Sequence, residues 1–155
     1  MSQKLITEED QKYMLKAFEV SKFSNCVKGN VGAVIVKNSE ILGEGNNSVP
    51  IGCEPCTKEN CIRKVLQIKS GQRQELCKGV HAEQNAILNA LLQKKDIKGS
   101  TIYVTKSPCM ICSKLLINVG VKRVFYASKY PDEESFKILK EVGVETIYFE
   151  LLGEQ

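Results

Sequence analysis

Apolar and polar positions along the chain change period several times, and each change marks an element. Thr7, followed by Glu8, Glu9 and Asp10, has the makings of a helix start: a capping hydroxyl with acidic groups at the positive end. Tyr13, Met14, Ala17 and Phe18 then recur at helical spacing. "VGAVIVK" (Val31 to Lys37) is a short β-branched run and predicts a buried strand. Asn38-Ser39 signals a turn and "EILGEGN" (Glu40 to Asn46) a second strand, which together make a hairpin. Further on, helical and strand periods alternate regularly. A helix pattern over Ala82 to Leu92 precedes a strand at Thr101 to Thr105. Another over Cys109 to Val119 precedes a strand at Arg123 to Ala127. A third, Asp132 to Val142, is stopped by Gly143 before a last strand at Glu145 to Leu151. Five strands interleaved with helices predict an α/β fold with a mostly parallel or mixed sheet covered on both faces.

Residues 47–79 break this rhythm. They hold two prolines, three glycines, four cysteines and little sustained period. A structureless loop of that length is uncommon in a compact domain unless something organises it. The expected organisation is one domain over residues 1–155, with a Cys-rich insertion at about 47–79.

Composition narrows the functions. At 43% apolar and 26% charged residues the chain is ordinary for a globular protein. No run of eighteen apolar residues predicts a membrane span, and the first residues lack the basic and apolar regions of a secretory signal. The net charge of +4 is scattered, and there is no Trp. A polynucleotide groove needs clustered cations and stacking aromatics, so nucleic acid is not the expected partner, whereas a small anion remains compatible. Seven cysteines without a secretory signal point to a reducing, cytoplasmic compartment, where close Cys pairs serve metal or redox chemistry.

The chain has one histidine, in "VHAEQNA". His81 stands at the predicted start of a helix, two residues before Glu83. "SPCMIC" (Ser107 to Cys112) places Cys109 at the start of the next helix, with Cys112 one turn on. Helix N-termini favour thiolates, the metal-binding form. One imidazole and two thiolates supply the three protein ligands typical of catalytic zinc, which keeps its fourth position for water. Glu83 need not bind the metal. A carboxylate there can take a proton from the activated water and pass it on. His-x-Glu with Pro-Cys-x-x-Cys is the signature of zinc nucleobase deaminases.

On "HAEQNAI" and "SPCMIC" the chain, from about Cys26 to Phe149, resembles the zinc-dependent cytidine and deoxycytidylate deaminase family. "VGAVIV", "GNNSVP" and "KYPDEE" make it most similar to the deoxycytidylate (dCMP) branch. The resemblance implies a three-layer α/β/α sandwich around a five-stranded mixed sheet. It implies hydrolysis of dCMP to dUMP and ammonia, with Glu83 moving protons and His81, Cys109 and Cys112 holding zinc. Asn47 keeps a substrate-contacting Asn, although Asn46 replaces the usual Tyr beside it. Lys28 stands where many members place an Arg near the nucleotide phosphate. N–H groups near Cys109 and the backbone around Ala82 would position the base. Homo-oligomers, including hexamers regulated by dCTP and dTTP, occur in the family.

Cys53, Cys56, Cys61 and Cys77 fall in the insertion, and four thiolates suit a closed structural zinc that would order it. The resemblance implies a second zinc in this region with a histidine ligand, but Pro55 stands at that position and Cys53 is an added thiol. The competing reading makes some of these cysteines small buried residues. Cys26, without a partner by spacing, is expected in the core. Two functional alternatives stand beside dCMP deamination. One is a deaminase of another nucleoside, nucleotide, base or tRNA adenosine. The other is a non-catalytic zinc module for protein interaction, against which Glu83 argues, because a structural site needs no acid beside it.

Overall fold

A computed structural model describes residues 5–151. Helix α1 (Glu8–Ser21) starts at a capping box: the Thr7 hydroxyl accepts from the Asp10 N–H, and the Asp10 carboxylate accepts from the Thr7 N–H. Strands β1 (Gly32–Lys37) and β2 (Glu40–Asn46) form the predicted hairpin, with a bulge between Ile35 and Val36. After residues 47–81 come α3 (Ala82–Leu92), β3 (Thr101–Val104), α4 (Met110–Asn118), β4 (Arg123–Tyr126), α5 (Glu133–Glu141) and β5 (Glu145–Tyr148). Asp132 caps α5 by accepting from the Ser135 N–H, and Gly143, at φ +76°, takes the left-handed turn that ends it.

The strands lie in the order β2-β1-β3-β4-β5. β1 is antiparallel to both neighbours, while β3, β4 and β5 run parallel, so the sheet is mixed. Alternation along each strand sorts the core into two clusters. Val34, Val36, Tyr103 and Phe125 face α1, where Tyr13, Met14 and Ala17 meet them. Ala33, Ile35, Ile102, Val104 and Val124 face α3, α4 and α5. Helices on both faces give the expected three layers. Each of the crossovers β3-α4-β4 and β4-α5-β5 lays its helix on the same face, as right-handed connections require.

The insertion leaves and rejoins the sheet at one point. Ser48 and Val80 exchange both backbone hydrogen bonds, at 3.1 and 2.7 Å, and close its base. Within it lie one short helix, α2 (Ile62–Val65), and a single 3₁₀ turn, Gln74–Leu76. No helix among the described residues is long and apolar enough to cross a membrane.

Candidate active site

Two helix starts bring the expected residues together. His81 is the residue before α3, and its backbone N–H is held by the Gln84 side chain at 2.8 Å. The next turns of α3 lie directly on β2. A Cβ built on Gly45 would overlap the Ala86 nitrogen and the Ala82 carbonyl, so only glycine permits this approach. Asn85 adds a tie, donating to the Asn46 carbonyl at 2.8 Å. Cys109 is the residue before α4. Asp132 accepts from the Met110 N–H at 2.8 Å, fixing that helix start to the loop after β4. Ser107 reinforces it by accepting from the Tyr130 N–H at 2.6 Å.

His81 Nδ1 lies 3.5 Å from Cys109 Sγ and 3.3 Å from Cys112 Sγ. A tetrahedral zinc bonded to nitrogen at about 2.0–2.1 Å and sulfur at about 2.3 Å sets those atoms about 3.5 Å apart. Both nitrogen–sulfur separations therefore match those around a zinc ion, and all three ligand atoms lie within 4.8 Å of one another. Among the described residues this is the one group of three or more His, Cys, Asp or Glu gathered closely enough for a metal. The electrostatics also suit a cation. A hydrogen bond from the Cys112 thiol pulls Cys109 down to about 4, and the same bond, with burial, pushes Cys112 up. His81 is raised chiefly by its contact with Cys109. Glu83 is only 5% exposed, and burial, followed by the Cys109 charge, lifts its carboxyl above the usual range.

His81, Glu83 and Cys109 open onto a cavity of about 260 Å³, while Cys112 is fully buried. Ala82, Asn47 and Lys28 are among the residues that line it. The Asn47 side chain is engaged with the chain before β1: its Oδ1 accepts from the Val31 N–H at 2.8 Å, and its Nδ2 donates to the Gly29 carbonyl at 2.8 Å. One expectation changes here, because the Met110 N–H is committed to Asp132 and is not open to a substrate base.

The insertion cysteines require a second correction. Cys53, Cys56, Cys61 and Cys77 are not drawn together as a set, and Cys53 is exposed. Cys56, Cys61 and Cys77 instead share the cavity wall with Cys26, which is half-buried and not in the core. The Cys56 thiol, raised mainly by burial, feels the charges of Cys26, Cys61 and Cys77. All seven cysteines are free of disulfides. Three further residues of the site lack a sequence assignment: Tyr130, Asp132 and Arg63. Tyr130 and Asp132 lie in the "KYPDEE" stretch, and an aspartate three residues before a serine at a helix start is a readable cap. Arg63 carries no such signal.

On this fold a three-ligand cluster beside a buried carboxylate is an arrangement that suits a zinc-binding deaminase domain. Residues 7–128 match the family described as the cytidine and deoxycytidylate deaminase zinc-binding region, and the chain belongs to that family. It is similar to the deoxycytidylate deaminase of Saccharomyces cerevisiae, with 33% identity over 94% of this chain and 46% of the relative. The chain thus spans less than half the length of that protein. With the deoxycytidylate deaminase of Mycobacterium phage D29 it shares 35% identity over 76% of this chain and 92% of the relative. Among solved structures, the dCMP deaminase of cyanophage S-TIM5 in complex with dCMP and dUMP superimposes with a TM-score of 0.77. That match has 32% identity and covers 94% of this chain and 99% of the other.

Proposed function

We propose that the protein catalyses the zinc-dependent hydrolysis of dCMP to dUMP and ammonia. The observation that carries this reading is the buried Glu83 carboxylate beside the His81, Cys109 and Cys112 cluster, at the floor of a cavity. Zinc, when bound there, lowers the pKa of water to about 7. His81, Cys109 and Cys112 hold the ion from two rigid helix starts. Glu83 accepts a proton from the attacking water and delivers it to ring N3. It then helps protonate the amine as the bond to carbon 4 breaks. Ala82 and Asn47 border the base and sugar, and Lys28 lies on the wall assigned to phosphate. The similarity to dCMP deaminases supports this substrate over nucleosides and purines.

A second zinc belongs to the same reading. Its candidate thiols are Cys26, Cys56, Cys61 and Cys77, which border one cavity and would have to close up around an ion, since no three of them are gathered within metal-binding reach. Support comes from their shared cavity wall and from the scarcity of apolar burial in the insertion, whose order a structural ion would supply. Seven unpaired cysteines suit a reducing, cytoplasmic setting. The assembly is a homo-oligomer, supported by aliphatic side chains left exposed on α3 and α4.

The test is ammonia release by the purified zinc-loaded chain from dCMP, deoxycytidine, cytidine, guanine and adenosine. dCMP is expected to have the highest kcat/KM. Equal or better use of any other compound would replace the substrate, and no turnover of any would sink the enzymatic reading.

A further inference from the structure

The loops that follow β3 and β4 run side by side beyond the ends of their strands. The Ser107 N–H donates to the Ser128 carbonyl at 2.8 Å, and the Tyr130 N–H donates to the Ser107 hydroxyl at 2.6 Å. The Ser128 hydroxyl donates to the Thr105 carbonyl at 3.0 Å. The last rung is Asp132, whose Oδ2 accepts from the Met110 N–H at 2.8 Å. Met110 is the first residue of α4, directly after Cys109 of the metal cluster. Asp132 uses its other oxygen, Oδ1, to accept from the Ser135 N–H at 3.1 Å, which caps α5. One carboxylate therefore closes the starts of two helices.

α4 needs a cap from outside because its own residues are committed. The first N–H groups of a helix lack partners within it. A side chain at the residue before the helix, or three positions further on, usually supplies one. At α3 the residue three on from His81 is Gln84, which holds the His81 N–H at 2.8 Å. At α4 both positions belong to the metal cluster. Cys109 makes no capping bond through its side chain, and the residue three on is Cys112. Their sulfurs are weak acceptors and gather with His81 at the metal position. The strong acceptor comes instead from Asp132, 22 residues further along the chain than Met110.

We infer that Asp132 is a positioning residue of the metal centre: by capping α4 from another segment it holds Cys109 where it can share an ion with His81 and Cys112. This rests on the zinc reading of that cluster and adds the group that keeps the cluster's shape. The capping bond acts on the backbone next to Cys109, so its loss lets the sulfur drift from its 3.5 Å separation from His81 Nδ1. Partners one step removed from a metal change its affinity about 10–100-fold when they are removed. The inference also gives the "KYPDEE" stretch a task. Tyr130 of that stretch lies on the cavity wall, and its carbonyl accepts from the Asp132 N–H at 2.8 Å. The same turn thus ties the cavity wall to the start of α4.

The experiment uses the full chain, loaded with zinc or with cobalt(II), and compares wild type with Asp132→Ala, Asp132→Ser and Ser135→Ala. The part of the cobalt absorption that His81→Ala abolishes reports the geometry of this site alone. Competition against a chromophoric chelator reports its zinc affinity. Asp132→Ala removes both caps. Asp132→Ser keeps a hydroxyl able to cap α5, but one short oxygen cannot also reach Met110. Ser135→Ala loosens α5 by removing the hydroxyl that donates to the Asp132 carbonyl at 2.8 Å, and leaves the Met110 bond in place. Both Asp132 variants are expected to bind the His81-dependent zinc about 10–100-fold more weakly and to shift the cobalt bands. Ser135→Ala should lower the melting temperature and keep wild-type affinity and bands. Wild-type affinity and bands in Asp132→Ser would overturn the inference and leave the zinc reading standing. An equal loss in Ser135→Ala overturns it too, by tracing the effect to the general stability of α5. If wild type takes up no metal that depends on His81, the zinc reading fails and this inference goes with it. Should Asp132→Ala fail to fold, Asp132→Ser decides on the same two measurements.

Discussion

Glu83 occupies a position that packing alone does not favour. A carboxylate buried to 5% exposure beside two sulfurs is costly, and burial raises its pKa accordingly. In the proposed reaction, that cost is offset by a role in proton transfer. Glu83→Gln preserves shape and removes the exchangeable charge. The variant is expected to hold zinc at wild-type stoichiometry by elemental analysis while ammonia release from dCMP falls about 10²–10⁴-fold or more. Wild-type turnover in that variant would refute the assignment. The candidate site was legible in the sequence because its relations are local: His81 and Glu83 are two apart, and Cys109 and Cys112 share a turn. The places of Cys26 and Arg63 were not, because the cavity wall they share with Cys56, Cys77 and Lys28 forms only when segments far apart in sequence come together.

Elements were legible wherever burial imposed a period. The β1–β2 hairpin and α3 follow the expected spans closely, and the ends of α1 and α5 follow their caps. The insertion imposes no period, because α2 is four residues long and none of its residues is buried. Its order has to come from elsewhere. The purified chain is therefore expected to contain two zinc ions by elemental analysis. His81→Ala should remove one. Changing Cys56 and Cys61 together to Ser should remove the other and lower the melting temperature, since a structural ion's binding energy is folding energy. One zinc in wild type would dismiss the second site. A different dependence governs α3, whose seat is the glycine surface of β2. Gly45→Ala would force a methyl group into the α3 backbone. Overpacking of this kind costs about 1–3 kcal/mol. The shift should reach His81 and Glu83, so chemical denaturation should show lost stability together with weakened zinc retention. Unchanged stability would mean that α3 is not seated this tightly.

At the scale of the whole molecule, the three inner strands are covered on both faces, but the helices that cover one of those faces are themselves exposed on their outer side. α3 and α4 pack beside one another on one face. Their outer surfaces carry Leu88, Leu91 and Leu92 on α3 and Ile111 and Leu115 on α4, with Leu92 79% exposed. Spacings of three and four residues align each set on one side of its helix. Single exposed leucines are ordinary, whereas five aliphatic side chains on two adjacent helices form the surface on which we place the contact of the proposed homo-oligomer. A second copy of the chain is the simplest occupant, because a two-fold axis lets the same patch serve both partners. Light scattering on the purified protein is then expected to give a multiple of the 17.3 kDa chain mass. Leu88→Lys with Leu92→Lys places two charges in that interface and should shift the mass toward 17.3 kDa. Both positions lie in the second half of α3, away from His81 at its start, so the variant should keep its zinc. A monomeric wild type, or an assembly indifferent to both lysines, would show that this face is not where copies meet.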